Sequence, residues 1–559
     1  MVSLDRITRI HKNTARFPGP LRKTEDLVER IRPMANIVLI SLYDRNAYGQ
    51  RLMSASLKRH GHQCHMIFLK RYNSDWSYQL ELEVGEYPWM GINERGQVFK
   101  YASNSHISER ELALLRGLLG KINPDVIGMT VNTPLRVQNV KVTRFIKEHF
   151  DVPVVWGGYD PTVNAPQCLE LCDYACVGEG DQTVIEIAER IDAGRSLDDV
   201  CNLAYLRDGG TFFNPKAPAE QNIDKYPWRD NSPEHKYFIE DDQLVENYPV
   251  INDRGPGEYQ TMSARGCPYK CTYCCEALLK DIYSGEKFLR RRSPQDIVAE
   301  LVEAKRQFNL THIRFEDEIF GMNLKWLEEF APLYREQVGL PFDAYIYPSR
   351  NIENILKALK HAGLSFCCLA LESGSERINK KVFDRVYDRE LFLKTVRVCK
   401  ELGLPFYSDI ITYNPYEQEE DLKQTLDVLT EMKGGFTMCI NKLFVLPGTK
   451  LAEQMERDGI NVGDASRDSL FNYYSRLFWI ASFSPHAPHL IGLIQRLGIF
   501  RRHPALLNPL QAKALLNPAW AFGRLKVRSA RLLTVASRRR HRVEGLNQQA
   551  LAEQNIVCR

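Results

Sequence analysis

This chain is defined first by what it lacks. Its 559 residues contain no run of about 18 or more apolar side chains, so no membrane-spanning helix is expected. The first 33 residues are polar and basic and lack the apolar core of a secretion signal. Charge of one sign is missing overall: 74 Lys and Arg against 70 Asp and Glu leave a net +4, and nothing global points to nucleic acid. The 14 cysteines follow no regular framework, which argues against a secreted disulfide scaffold and for a reducing, cytoplasmic setting. What is present is ordinary for a globular protein: 44% hydrophobic and 26% charged residues, enough to bury a normal core. At roughly 100–200 residues per domain, the length predicts three to five domains.

One stretch stands out, Arg265-Gly266-Cys267-Pro268-Tyr269-Lys270-Cys271-Thr272-Tyr273-Cys274. Soft thiolates at close spacing select zinc or iron–sulfur clusters. A structural zinc wants four closed ligands, usually as two pairs, and no second His or Cys pair follows at ligand spacing. Three cysteines on one loop suit three corners of a cubane cluster with one iron left open. The neighbouring Cys275 falls outside the spacing and reads as a bystander thiol.

The Cys-x-x-x-Cys-x-x-Cys spacing, with Tyr273 before the third cysteine, resembles the radical S-adenosylmethionine (SAM) superfamily. The resemblance implies a 4Fe–4S cluster on Cys267, Cys271 and Cys274 and SAM on the open iron, cleaved to a 5′-deoxyadenosyl radical. From residue 259 to about 455, six strand-then-helix repeats predict a partial (β/α)6 barrel, whose site gathers at the carboxyl ends of its strands. There the resemblance places Glu316 (in Glu316-Asp317-Glu318), Tyr273, Glu372 and Ser373 around SAM. Asp317 and Glu318 are read as rim salt-bridge partners. Arg290-Arg291-Arg292 is read as a solvated basic loop ahead of a helix capped by Ser293.

Residues 35–200 also alternate strand and helix, which predicts a doubly wound, Rossmann-like sheet with a ligand at its carboxyl edge. Two glycine loops fall there, Gly157-Gly158-Tyr159 and Gly178-Glu179-Gly180. In this order they resemble the cobalamin-binding domain fused ahead of many radical SAM cores. The implied cobalamin contacts are Tyr48, Gly49, Thr130, Thr133, Gly157, Gly158, Tyr159, Gly178, Glu179 and Gly180. The loop after the first strand, Tyr43 to Gly49, has no histidine, so it offers cobalt no imidazole.

The remaining segments are expected to be an N-terminal extension (1–34), an irregular insertion (70–106), a linker (201–258) and a mostly helical, basic C-terminal region (456–559). Within the last, 521–543 holds seven arginines and one lysine with no acid, and reads as a solvated tail or a helix lying on anionic lipid.

The resemblance implies a C-methyltransferase that acts on an unactivated carbon through a deoxyadenosyl radical and methylcobalamin. Radical cyclisation, rearrangement or oxidation is the alternative, and a non-catalytic cobalamin sensor or carrier is another. The expected partners are a small-molecule substrate, apolar or lipid-like, and an electron donor such as flavodoxin or ferredoxin.

Overall fold

The computed structural model describes residues 34–71, 90–92, 98–100, 106–249, 251, 257–460 and 468–517. The basic 521–543 stretch and all of the N-terminal extension except Met34 lie outside them. Two large sheets carry the architecture. The strands in chain order are β1 (Asn36–Leu42), β2 (Gln63–Leu69), β3 (Met90–Ile92), β4 (Val98–Lys100), β5 (Val126–Thr130), β6 (Val154–Gly157), β7 (Tyr174–Cys176), β8 (Leu203–Arg207), β9 (Gly210–Phe213), β10 (Lys236–Glu240) and β11 (Gln243–Glu246). Then follow β12 (Glu258–Thr261), β13 (Ala264–Arg265), β14 (Arg290–Arg291), β15 (His312–Phe315), β16 (Phe342–Tyr345), β17 (Leu364–Glu372), β18 (Phe406–Thr412) and β19 (Thr437–Lys442).

The first sheet has nine strands in the order β11-β10-β2-β1-β5-β6-β7-β8-β9. From β10 to β7 the neighbours run parallel, and an antiparallel hairpin closes each edge. Strand β1 reads as one apolar run because both its faces are covered. Val38, Ile40 and Leu42 enter one core with the helices Glu109–Ile122 and Arg136–His149. Ile37 and Leu39 enter the other, with Tyr48–Arg59 and Asp181–Asp192. Strand order reverses about β1, so a crevice opens between the carboxyl ends of β1 and β5.

Two expectations need correcting. The segment 201–258 is more than a linker, since 203–246 supplies β8 to β11 and closes both edges of the first sheet. Its strands are only four or five residues long, too short for a clear periodicity. The insertion at 70–106 is not wholly irregular: β3 pairs antiparallel with β19, extending the second sheet rather than the first. That long-range pairing leaves no local signature.

One consequence concerns acid stability. His65 on β2 is buried, with its ring 4.6 Å from that of His235. Burial, then the nearby His235 and Lys58, push its pKa down to about 4 from 6.5. Between those values the unfolded chain binds more protons than the folded one, so stability falls as pH falls through that window. The expected loss, discounted for solvent screening, is on the order of 1–2 kcal/mol. Urea unfolding at neutral and acid pH, compared with a His65→Leu variant lacking that dependence, checks it.

The second sheet runs β12-β15-β16-β17-β18-β19 in parallel, followed by the β3–β4 hairpin, and the helices after its strands pack outside it as a partial barrel. As expected, Ser293 caps the helix Pro294–Gln307 by accepting from the Asp296 N–H at 3.2 Å. The aromatic helix Asp468–Phe483 joins the barrel core through Phe471, Leu477, Phe478 and Ile480.

Candidate functional site

The cysteine loop is shaped before any ligand is considered. Gly266 has φ +87°, and a Cβ there would lie 2.6 Å from the Phe288 carbonyl oxygen, so only glycine fits. Asp317 accepts hydrogen bonds from the Ser263 N–H (2.8 Å) and hydroxyl (2.5 Å), which ties the loop's entry to the end of β15. Thr272 donates its N–H to the Phe383 carbonyl (2.8 Å) and its hydroxyl to that of Val382 (2.6 Å). Cys274 stands at the N-cap of the helix Cys275–Ile282, where the helix dipole favours a thiolate.

Burial pushes the Cys267 thiol up to about 12, and Glu318, Cys274 and Cys271 add to it. Burial likewise raises Cys271. For Cys274 the hydrogen bond with Cys275 raises it most, then burial. Three thiols gathered beside an acid need cationic charge before they ionise, and iron supplies it. Among the described residues no three His, Cys, Asp or Glu side chains converge on a single-ion site. A cubane anchors each of its thiolates on a separate iron, and three cysteines on one loop suit that arrangement.

Around the loop stand the residues expected to hold SAM. Tyr273 donates its hydroxyl to Glu372 at 3.1 Å. Glu372 ends β17 with φ +60°, a strained conformation for a residue with a side chain, and burial raises its pKa. Ser373 is fully buried, and its hydroxyl lies within hydrogen-bond range of Thr425 (3.3 Å) and accepts from the Ser375 N–H (3.2 Å), so it braces the turn. Glu316 pairs with Arg314 at 2.7 Å. Glu318 is exposed in the loop after β15, and burial of its carboxyl followed by Asp317 and Glu316 raises its pKa. Beside it, one Glu276 oxygen is buried without a hydrogen-bond partner.

Sequence reasoning missed Arg385. It is buried beside Cys271 and Glu372, donates to the Ala370 carbonyl at 2.7 Å, and lies 5.1 Å from the Tyr347 ring centre. It sits in a loop with no motif, so no local signal marks it. The reading of Arg290-Arg291-Arg292 as a solvated loop is overturned. Arg290 is buried against Glu179, and Arg292 is buried against Glu300 and Asp296. Arg291 lies over the Trp326 ring. Their acidic partners are distant in sequence or on the next helix, so the run looks unpaired until the chain folds.

In the first domain, a cavity of about 270 Å³ fills the crevice between β1, β5 and β6 and the helices Tyr48–Arg59 and Asp181–Asp192. Tyr48, Gly49, Thr130, Gly157, Gly158, Gly178 and Gly180 line it, over an apolar floor that includes Leu39, Val126 and Val155. Thr133 instead turns its hydroxyl to Asp160 at 3.2 Å. Tyr159 and Glu179 face the second domain. Gly158 has φ +107°, and a Cβ there would lie 3.0 Å from the Val131 carbonyl oxygen.

The two sets of strand ends meet. Tyr159 donates its hydroxyl to the Pro447 carbonyl (2.8 Å), in the loop after β19. The Glu179 N–H donates to the Tyr283 hydroxyl (2.8 Å), on the helix that Cys274 caps. Arg265, two residues before Cys267, grips Asp181 with two bonds of 2.8 and 2.9 Å.

Residues 262–429 match the family model described as the radical SAM superfamily. An uncharacterized methyltransferase of Pyrococcus horikoshii is 24% identical over 344 residues, spanning 60% of this chain and 70% of that protein. An anaerobic magnesium-protoporphyrin IX monomethyl ester cyclase of Rubrivivax gelatinosus is 23% identical over 339 residues, spanning 59% of this chain and 57% of the relative. Among solved structures, the radical SAM methyltransferase TsrM from Kitasatospora setae, with cobalamin and a 4Fe–4S cluster bound, superposes with TM-score 0.55 at 18% identity. That superposition covers 76% of this chain and 75% of TsrM and speaks for the fold. The family match falls on the segment that holds the cysteine loop and most of the barrel strands, and it is this segment, residues 262–429, that matches the radical SAM superfamily.

Proposed function

We propose that the protein is a cobalamin-dependent radical SAM C-methyltransferase. The observation that carries this reading is the meeting of strand ends: the glycine-lined cavity and the cysteine loop open toward one another, with Tyr159 bonded to Pro447 between them. Cys267, Cys271 and Cys274 would hold the cluster. Glu318 and Glu372 would offer carboxylates, and Arg385 a guanidinium, to the charged ends of SAM. Gly128, Gly157 and Gly180 leave room in the crevice for the nucleotide tail of cobalamin. Bound there, the cluster and SAM supply a carbon-centred radical, and cobalamin supplies the methyl group.

The chain's own part is to position and shield. Arg314, Tyr345 and Tyr407 form a polar chain inside the barrel, with Arg314 donating to Tyr345 (3.2 Å) and Tyr407 to Tyr345 (3.1 Å). Next to it, burial and then the Glu372 carboxylate raise the Asp409 carboxyl to about 8, which favours its protonated form. An external one-electron donor of the flavodoxin or ferredoxin kind completes the requirement.

Cobalamin binding is tested by filling the crevice. A Cβ at Gly157 meets only Cys176 at 3.8 Å, ordinary contact, so Gly157→Leu fits the backbone and projects into the cavity. The expected result is loss of cobalamin binding by at least about a hundredfold, nearly 3 kcal/mol, with little change in melting temperature. Retained corrin absorbance after desalting the anaerobic variant defeats the assignment. Product mass decides the reaction: methyl transfer adds one CH₂ and yields S-adenosylhomocysteine, whereas cyclisation or oxidation does neither.

A further inference from the structure

We propose that the C-terminal helical cap is a docking face for an anionic lipid surface. Beyond the barrel, the helices Ala487–Leu497, Ile499–Arg502 and Pro509–Leu516 pack around the aromatic helix Asp468–Phe483. Their inner face is accounted for, since Ala487, Ile491, Ile494, Leu507 and Ala512 are buried in the barrel core. The outer face is not. Among the described residues, 14 large hydrophobic side chains are exposed, and five of them, Leu493, Leu497, Ile499, Leu506 and Leu515, fall between 493 and 515. Scattered exposed leucines need no explanation, but here a third of the exposed large apolar side chains fall within one short segment. Leu493 and Leu497 are one turn apart on the same side of their helix, opposite Ile491 and Ile494.

Charge identifies the partner. From Ser469 to Asn517 the sequence holds four arginines and one lysine and not one Asp or Glu. At the chain's average of 70 acids in 559 residues, that span would carry about six. Exposed Arg496, Arg502 and His503 border the leucines, whereas Arg501 is taken by Glu419 at 2.6 Å. An apolar patch rimmed by cations is complementary to an apolar phase beneath anionic headgroups. A nucleic acid would satisfy the arginines but not the leucines. Among the described residues no helix is long and apolar enough to cross a membrane, so the contact is peripheral.

The test uses the purified full chain and needs neither cluster, SAM nor cobalamin, so it can fail without touching the assignment of the reaction. The protein is sedimented with vesicles of phosphatidylcholine plus phosphatidylglycerol and with vesicles of phosphatidylcholine alone. Co-sedimentation with the mixed vesicles only, weakened by salt, is expected. The paired substitution Leu493→Asp and Leu497→Asp should lower vesicle affinity about tenfold or more, and Arg496→Gln with Arg502→Gln should flatten the salt dependence, both with unchanged thermal unfolding. The proposal is overturned if the leucine variant binds vesicles as the parent does. It is equally overturned if truncation after 517 removes all binding, if the parent binds duplex DNA and not vesicles, or if gel filtration shows a dimer that the leucine variant dissolves.

Discussion

Replacing Cys271 with Ala is expected to abolish SAM cleavage. The loss should exceed the roughly 10–100-fold that removing a supporting contact around a metal costs, because under the proposed assignment a cluster ligand itself is gone. Cys271 is the most buried of the three thiols and lies beside Arg385. Ala at this position removes one iron's anchor and leaves that guanidinium without its thiolate. Iron and sulfide per chain after anaerobic reconstitution should fall well below the parent value, and deoxyadenosine should drop to the level of a no-enzyme control. Cys275→Ala is the matched control. Its residue begins the helix Cys275–Ile282, one position outside the motif, and the variant should keep its cluster. A Cys271→Ala protein with a full cluster and normal deoxyadenosine yield would remove the basis for the metal assignment.

The second large effect is structural and joins the two domains. Asp181 is buried at the start of its helix, and Arg265 holds it with paired bonds of 2.8 and 2.9 Å. Burial raises the Asp181 pKa, but the Arg265 guanidinium outweighs it and holds the carboxyl below its usual range. Asp181→Ala leaves Arg265 with Glu179 at 3.7 Å as its remaining acid. The expected destabilisation is about 3 kcal/mol, the low end for breaking a buried pair because that second acid remains. Urea unfolding measures it, and a cycle with Arg265→Met separates the pair from its surroundings. A coupling energy near zero would show that the two residues act independently. Because Asp181 opens a helix that walls the crevice, the same variant should also bind cobalamin more weakly than the parent.

Both predictions concern residues of very different visibility. The cysteine spacing is a local pattern that ten consecutive residues display in full. The strands β1, β2 and β5 and the helices after them were equally open to reading, because covering both faces of a strand requires an unbroken apolar run. The glycine loops were legible for the same reason: a close backbone approach demands residues without a Cβ. Three of the ten residues expected around cobalamin, Thr133, Tyr159 and Glu179, turn elsewhere. Their spacing placed them at the right strand ends, but side-chain direction depends on neighbours from distant segments. Tyr159 finds Pro447 only because the second domain is there.

The sequence alone displayed the cysteine spacing and the alternation that builds the parallel strands of two sheets, since both follow from residues close together along the chain. Tertiary structure alone decided which charges are paired and which cavity walls face inward. Arg290, Arg292 and Arg385 look like surface cations in the sequence and are buried, because Glu179, Glu300 and Glu372 reach them from other elements. A hydrogen bond or ion pair is a relation between two positions in space, and folding is what brings positions a hundred residues apart, such as 179 and 290, within reach of one another.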